Sequence, residues 1–216
     1  MKELLGTMTK KLLKFLEDKN PRPQYMNHTL IIGLGNPGKN YEWTRHNLGW
    51  LVLDALKDSV DPGAQWEKHK KSNAQISKLT TNDQQIVLMK PQTFMNDSGD
   101  AVREYLAYNN GAPDQIIVIH DDVDLDLGRL KIVEQGSAAG HKGLSSIINQ
   151  LKTDRFVRVR LGVRNNKFEK VPTEKFVLQH FGLFEKPKVK KWLPTIVEAL
   201  ECLINNEVSE CKNKFH

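Results

Sequence analysis

The sequence predicts an α/β fold: a single domain with a twisted mixed central sheet flanked by helices on both faces. Three observations carry this. Short apolar runs alternate with stretches whose apolar residues recur at helical spacing, the pattern of strands joined by helices. One pair of strand-like runs is separated only by a polar turn, which reads as a hairpin. The chain has 216 residues, 39% of them hydrophobic, enough for one substantial core but not for two full domains.

The elements follow in order. Residues 29–34, TLIIGL, are a short apolar run closed by Gly and read as a buried strand. Residues 47–60, NLGWLVLDALKDSV, place apolar residues at helical spacing. AQISKLTT and QQIVLMK form the hairpin around a polar turn. Residues 101–109 read as a helix stopped by NGAP, and residues 115–122, QIIVIHDD, as a second buried strand ending in polar residues. GRLKIVEQ is strand-like, and residues 143–151 are a helix. Residues 155–163, RFVRVRLGV, alternate basic with apolar, as a strand with one solvated face does. The long helix near the C-terminus contains Pro194, which predicts a kink or two pieces. Residues 1–27 read as an N-terminal extension, a short surface helix and a Pro-containing linker. The domain proper spans 28–206, and 207–216 is a C-terminal tail.

Composition sets further bounds. The net charge of +6 suits a polyanionic partner such as nucleic acid, and equally a basic housekeeping enzyme. Cys202 and Cys211 supply neither a metal-binding spacing nor a disulfide framework, so a reducing, intracellular compartment is the simplest setting. No apolar run approaches the ~20 residues of a membrane span. The N-terminal 20 residues lack Arg and contain Glu3, Glu17 and Asp18, which argues against a mitochondrial transit peptide.

Gly33-Leu34-Gly35-Asn36-Pro37-Gly38 matches the glycine pattern of a dinucleotide-binding loop, but the context does not. Gly38 leads into a polar loop instead of a helix. Asp54 falls inside the next helix and not at a strand end. Pro37 lacks an N–H for a phosphate. The glycines read instead as a tight turn presenting Asn36 and the loop after it at the strand's carboxyl end. Three more polar clusters adjoin strands or helices: KPQTFMNDSG at 90–99, HDDVDLDLG at 120–128 and GSAAGHKG at 136–143. Together they offer Asn36, His46, Asn96, His120, Asp121 and His141. A histidine with a carboxylate on its second nitrogen and amides nearby is a water-activating set. Each residue also has a structural alternative: the acids as turn formers, Asn96 and Asp97 as a helix cap, His46 as a loop histidine.

In order and spacing, GLGNPGKNYEWTRHNLGW, KPQTFMNDSG, VIHDDVDLDLG and GHKGLSSI, followed by RVRLGV and FVLQHF, resemble the bacterial-type peptidyl-tRNA hydrolases, a family also found in eukaryotes and organelles. The resemblance covers about residues 29–205. It implies hydrolysis of the ester joining a peptide to the 3′ end of tRNA, without metal or cofactor, by an intracellular enzyme that is cytoplasmic or alternatively mitochondrial, and a monomer. On the matching positions it implies His46 as the base that activates water, Asp121 as the acid that orients it, and Asn36 and Asn96 as amides that position substrate and water. Tyr41, Met95 and His141 match cleft residues that bind substrate. Lys142 stands where the family usually carries Asn, so an amide is replaced by a cation that can still donate or meet a phosphate. The glycine-rich approach to His141 is thinned to GSAAG, and the usual Pro after the acidic string is missing. Lys131 and Arg160, with Lys152, Arg158 and Arg164, are candidates for tRNA phosphates, against the alternative of a solvated strand face for Arg158 and Arg160. Lys186–Trp192, KPKVKKW, reads as the start of a solvated helix.

Other readings compete. A non-hydrolytic RNA-binding protein of the same fold, like relatives that serve splicing in plant organelles, is kept alive by Lys142. A serine hydrolase would need Ser98 or Ser137, and neither sits in a G-x-S-x-G elbow. A metal hydrolase would use His46, Asp121 and His141.

Overall fold

The computed structural model describes residues 28–81, 84–166 and 168–215; the expected N-terminal helix and linker lie outside them. Seven strands form one sheet in the order β2-β3-β4-β1-β5-β7-β6. They are β1 (His28–Gly33), β2 (Glu67–His69), β3 (Ala74–Thr81), β4 (Gln84–Pro91), β5 (Ile116–Asp126), β6 (Leu130–Val133) and β7 (Val157–Arg164). The four central strands β4, β1, β5 and β7 run parallel, while β2, β3 and β6 pair antiparallel at the edges. The mixed sheet is thus the predicted one. The predicted hairpin is β3–β4, joined in register from Thr81↔Gln84 to Ala74↔Pro91.

Among the described residues six α-helices flank the sheet: α1 (Leu48–Val60), α2 (Ser98–Tyr108), α3 (Lys142–Leu151), α4 (Thr173–Val177), α5 (Glu185–Asn205) and α6 (Val208–Phe215). They cover both faces because strand residues alternate. Ile31, Ile117, Ile119, Val159 and Leu161 meet α1 and α5 in one core. Leu30, Ile32, Val87 and Val118 meet α2 and α3 in the other. Helix α1 approaches the sheet so closely that a Cβ on Gly33 would sit 2.5 Å from the Gly49 carbonyl oxygen. Gly38 has φ +110°, which L side chains rarely adopt. These two glycines of the dinucleotide-like string are therefore explained by packing and by the turn. Asp54, on α1, takes hydrogen bonds from Trp66 and from the buried Lys90, so its carboxylate is already engaged within the protein.

Four expectations need correction. The basic face of strand β7 is solvated only in part: Arg158 is 2% exposed, while the Arg160 and Arg164 side chains keep 24% and 41% of their surface. The loop folded over Arg158 satisfies its guanidinium through the Ser137 and Asp154 carbonyls. Helix α5 runs as one span through Pro194, held along a buried face that includes Val189, Ile196, Val197 and Leu200. Most of the expected tail is α6, which packs against β6. Finally, the turn between α5 and α6 doubles the chain back, so Cys202 and Cys211, nine residues apart, form a disulfide with Cα atoms 5.8 Å apart. A helical reversal is invisible in a spacing of nine, so the two cysteines offer no disulfide framework in the sequence alone.

Candidate active site

The site lies at the carboxyl ends of β1, β4 and β5, where parallel α/β sheets leave a crevice. Strand β1 exits toward β4 on one side and β5 follows on the other, so the crevice sits at a switch in strand order. A cavity of about 810 Å³ opens there. Asn36, Tyr41, His46, Met95, Asn96, Asp121, His141, Lys142 and Arg160 all line it, as do His120, Phe94 and Leu178.

At its centre one carboxylate serves two imidazoles. His46 Nδ1 is 2.8 Å and His141 Nε2 is 3.0 Å from Asp121 Oδ1. Burial opposes ionisation of Asp121, yet the facing His46 and His141 overcome it and hold the carboxyl well below the usual carboxylate range. An ionised carboxylate only accepts, so both facing nitrogens donate. The bonds of His141 settle its tautomer from the other side as well: its Nδ1 accepts from the Leu144 N–H at 3.3 Å, capping α3. With both nitrogens engaged, His141 is fixed in orientation as a donor to Asp121. His46 differs: Nδ1–H donates to Asp121, which leaves the Nε2 lone pair on a ring that lines the cavity.

The amides are held with equal definition. Asn36 Oδ1 accepts from the Met95 N–H at 2.8 Å. The Asn36 backbone is clasped by Asn47, whose Oδ1 accepts from the Asn36 N–H and whose Nδ2 donates to the Asn36 carbonyl, both at 2.9 Å. Asn47, which is not among the expected site residues, is adjacent to His46 and ties the turn that carries His46 to the first loop. Asn96 is exposed, and its Nδ2 donates to Asp97 at 2.9 Å. Ser98, by contrast, is fully buried, and its hydroxyl donates to the Met95 carbonyl at the start of α2, which gives it a structural duty in place of a nucleophilic one.

Beside His46 in the chain stands a second unforeseen residue. Arg45 is 2% exposed; its Nη2 donates to both Glu185 carboxylate oxygens at 2.9 and 2.8 Å, while its Nη1 donates to the Gln179 and His180 carbonyls. Burial resists ionisation of Glu185, but the Gly182 N–H, Asn165 and Arg45 hold its carboxyl below its ordinary value. The TRHN string gave no hint of this partner, 140 residues away.

The predicted phosphate contacts divide. Lys131 and Arg160 face each other across β6 and β7, with Lys131 exposed and Arg160 donating to Asp122. Arg158 is consumed by the loop above it. Arg164 pairs with Asp126 at 2.8 Å. Lys152 follows the far end of α3, eight residues beyond the cavity-lining Leu144 and so roughly 12 Å along the helix at 1.5 Å per residue.

His120 adds a titratable core group. It is 3% exposed, its Nδ1 donates to the Asp121 carbonyl at 2.7 Å, and burial followed by the neighbouring His141 pushes it down to about 3. The unfolded chain therefore binds a proton that the folded one refuses between pH 6.5 and about 3. Stability is expected to fall as pH falls through that window, by at most about 1.4 kcal/mol per pH unit from this group. Asp121 extends the loss below its ordinary value of 3.8, because its folded carboxyl stays ionised there. Urea midpoints measured from pH 7 to 3 check this: His120→Asn, which keeps a donor for the Asp121 carbonyl, should flatten the upper part of the profile.

Ligand atoms of His46, Asp121 and His141 lie within 4.8 Å of one another, the one such grouping among the described residues. To hold a cation there, the two imidazoles would have to surrender the protons they now donate.

An imidazole fixed by a buried acid, with its other nitrogen at a cavity lined by amides, is equipped to turn water into a nucleophile; such a site on this fold defines a hydrolase. The peptidyl-tRNA hydrolase family profile matches residues 30–216, and the chain belongs to that family. It is 39% identical over 187 residues to the peptidyl-tRNA hydrolase of Clostridium perfringens, covering 87% of this chain and 96% of that one. It is 38% identical to that of Mycobacterium tuberculosis, with the same coverage. Among solved structures, the peptidyl-tRNA hydrolase of Acinetobacter baumannii superposes with a TM-score of 0.79 at 27% identity, covering 88% of this chain and 94% of that one.

Proposed function

We propose that this peptidyl-tRNA hydrolase works through His46 as general base, with Asp121 holding its tautomer and balancing the charge it gains. The observation that carries this reading is the division of labour around one oxygen: Asp121 Oδ1 binds two imidazoles, and only His46 keeps a nitrogen without a protein partner. His46 Nε2 takes a proton from water as the oxygen attacks the ester carbonyl. The peptide leaves as a carboxylate, and the departing 3′ oxygen of the tRNA recovers a proton. Asn36 directs its free amide N–H groups to substrate or water, since its Oδ1 is occupied by Met95. Asn96 turns one N–H toward the developing oxyanion. Tyr41, Met95 and His141 shape the wall around the ester, and Lys131, with the partly neutralised Arg160, meets tRNA phosphate outside it.

Lys142 opens α3 as an exposed cation on the cavity rim. It serves as a donor to the RNA end in place of an amide. The enzyme acts as a monomer and inside the cell, where its substrate is made. Nothing in the site or the relatives favours the non-hydrolytic alternative.

The test is release of an N-blocked amino acid from its tRNA by the wild-type protein, with Lys142→Asn assayed alongside. Both are expected to turn over substrate. The variant should lose about one unit from the slope of log affinity against log salt. Binding of tRNA without release by the wild type would overturn the proposal.

A further inference from the structure

We propose that the amino-terminal end of α5, together with Trp43 and the Leu183–Phe184 pair that precedes it, docks the body of the tRNA outside its reacting 3′ end. The proposal rests on peptidyl-tRNA being the substrate. A cavity of about 810 Å³ accommodates only the acylated end of such a molecule, so the remaining polyanion must lie on a surface near the rim.

The patch has the composition for it. Lys186, Lys188, Lys190 and Lys191 fall within the first two turns of α5. Among the described residues none of the four has a carboxylate within ion-pairing distance. The one acid in that stretch, Glu185, is taken by Arg45, Asn165 and the Gly182 N–H. Lys186 and Lys190, one turn apart, hold their ammonium groups 5.5 and 5.6 Å from the Trp43 ring, so two of the cations are positioned. The opposing charge nearby in sequence is the exposed Glu42.

A solvated helix face would explain lysines but not the rest. Cations crowded at a helix N-terminus oppose the helix dipole, whereas a bound anion relieves them. Leu183 and Phe184 stand 87% and 88% exposed beside them, large apolar side chains without a role in the core. Lysines for phosphates beside an aromatic face for bases or riboses is the combination that binds RNA without reading its sequence.

The patch is also joined to the chemistry. Val177 and Leu178 line the cavity, and the chain runs from them directly to Leu183. The Thr44–His180 bridge, the His180–Asn40 hydrogen bond and the Arg45–Glu185 pair bind this segment to the turn that carries His46. RNA held on α5 is thereby held in fixed relation to the base.

The experiment compares an N-blocked aminoacyl-tRNA with the same acyl group on a CCA trinucleotide, and measures binding of uncharged tRNA in parallel. Lys188→Glu/Lys191→Glu leaves the Trp43 contacts intact; Lys186→Glu/Lys190→Glu removes them as well. Each pair should raise KM for the tRNA substrate about tenfold and flatten the salt slope by about two, with turnover of the trinucleotide ester unchanged. If both folded variants match the wild type in tRNA affinity and salt slope, the docking surface is refuted. Wild-type binding to phosphatidylserine vesicles, with tRNA affinity unaltered in the variants, would assign the patch to lipid and refute it equally. Should the wild type bind tRNA through these lysines yet cleave neither ester, the hydrolytic reading falls and the docking surface stands.

Discussion

His46→Ala is expected to reduce kcat for peptide release by about 10²–10⁴, the range a positioned general base supplies. Its KM and its affinity for uncharged tRNA should stay close to wild type. The substitution is clean because the His46 side chain has one protein partner, Asp121, which retains His141 Nε2 on the same oxygen. The carboxylate is therefore not left unpaired, and folding stability should fall little. Single-turnover assays under enzyme excess separate the chemical step from binding and product release. A variant that releases peptide at the wild-type rate would move the base elsewhere. Asp121→Asn should be damaging in a different way: an amide can present its nitrogen to His46, stabilising the tautomer whose Nε2 carries the proton.

Arg45→Ala is expected to lower stability by about 3–5 kcal/mol, the cost of breaking a buried pair and leaving one partner behind. Four hydrogen bonds are lost, two to Glu185 and one each to Gln179 and His180, and with them the guanidinium seated 4.3 Å from the Phe176 ring centroid. These contacts dock residues 176–185 against the turn bearing His46, so activity should fall even where the protein remains folded. Denaturant unfolding gives the first effect. Activity assayed well below the unfolding midpoint gives the second. Arg45→Lys should rescue only part of either, since a single ammonium cannot serve both the Glu185 carboxylate and the Gln179 and His180 carbonyls, as Nη2 and Nη1 of the guanidinium do. A loss within about 0.5 kcal/mol would mean that the segment is held by its apolar contacts alone.

The elements of the sheet were legible where the apolar period was strong. TLIIGL, QIIVIHDD and the β3–β4 hairpin were found because strands buried among others read as apolar runs closed by polar residues. The short β2 and α4 were missed, since three and five residues carry too few turns of any period. β7 was located, but its basic residues were misjudged: alternation reveals which side chains share a face, and says nothing of the loop that later covers it.

The site was legible as a set of residue types. His46, Asp121, Asn36, Asn96 and His141 were singled out, and nine of the ten proposed site residues line one cavity, with Lys131 outside. What no spacing could reveal is which atom meets which. His141, Asp121 and His46 come from α3, β5 and the turn before α1, and their union on one oxygen depends on strand order. Asn47 and the Arg45–Glu185 pair were missed for the same reason: a polar residue in a loop looks alike whether it touches water or a buried backbone.

The chain's linear pattern thus settled its fold class and the loops that carry the polar clusters, because apolar periodicity and local turn chemistry act over a few residues, and the motif strings of those loops carried the resemblance to the family. The folded arrangement alone decided that His46 keeps a free nitrogen while His141 has none, that Arg158 is interior, and that the two cysteines meet. Each of these is a contact between segments distant along the chain, and such contacts are fixed by how the sheet orders its strands and how the helices close over them.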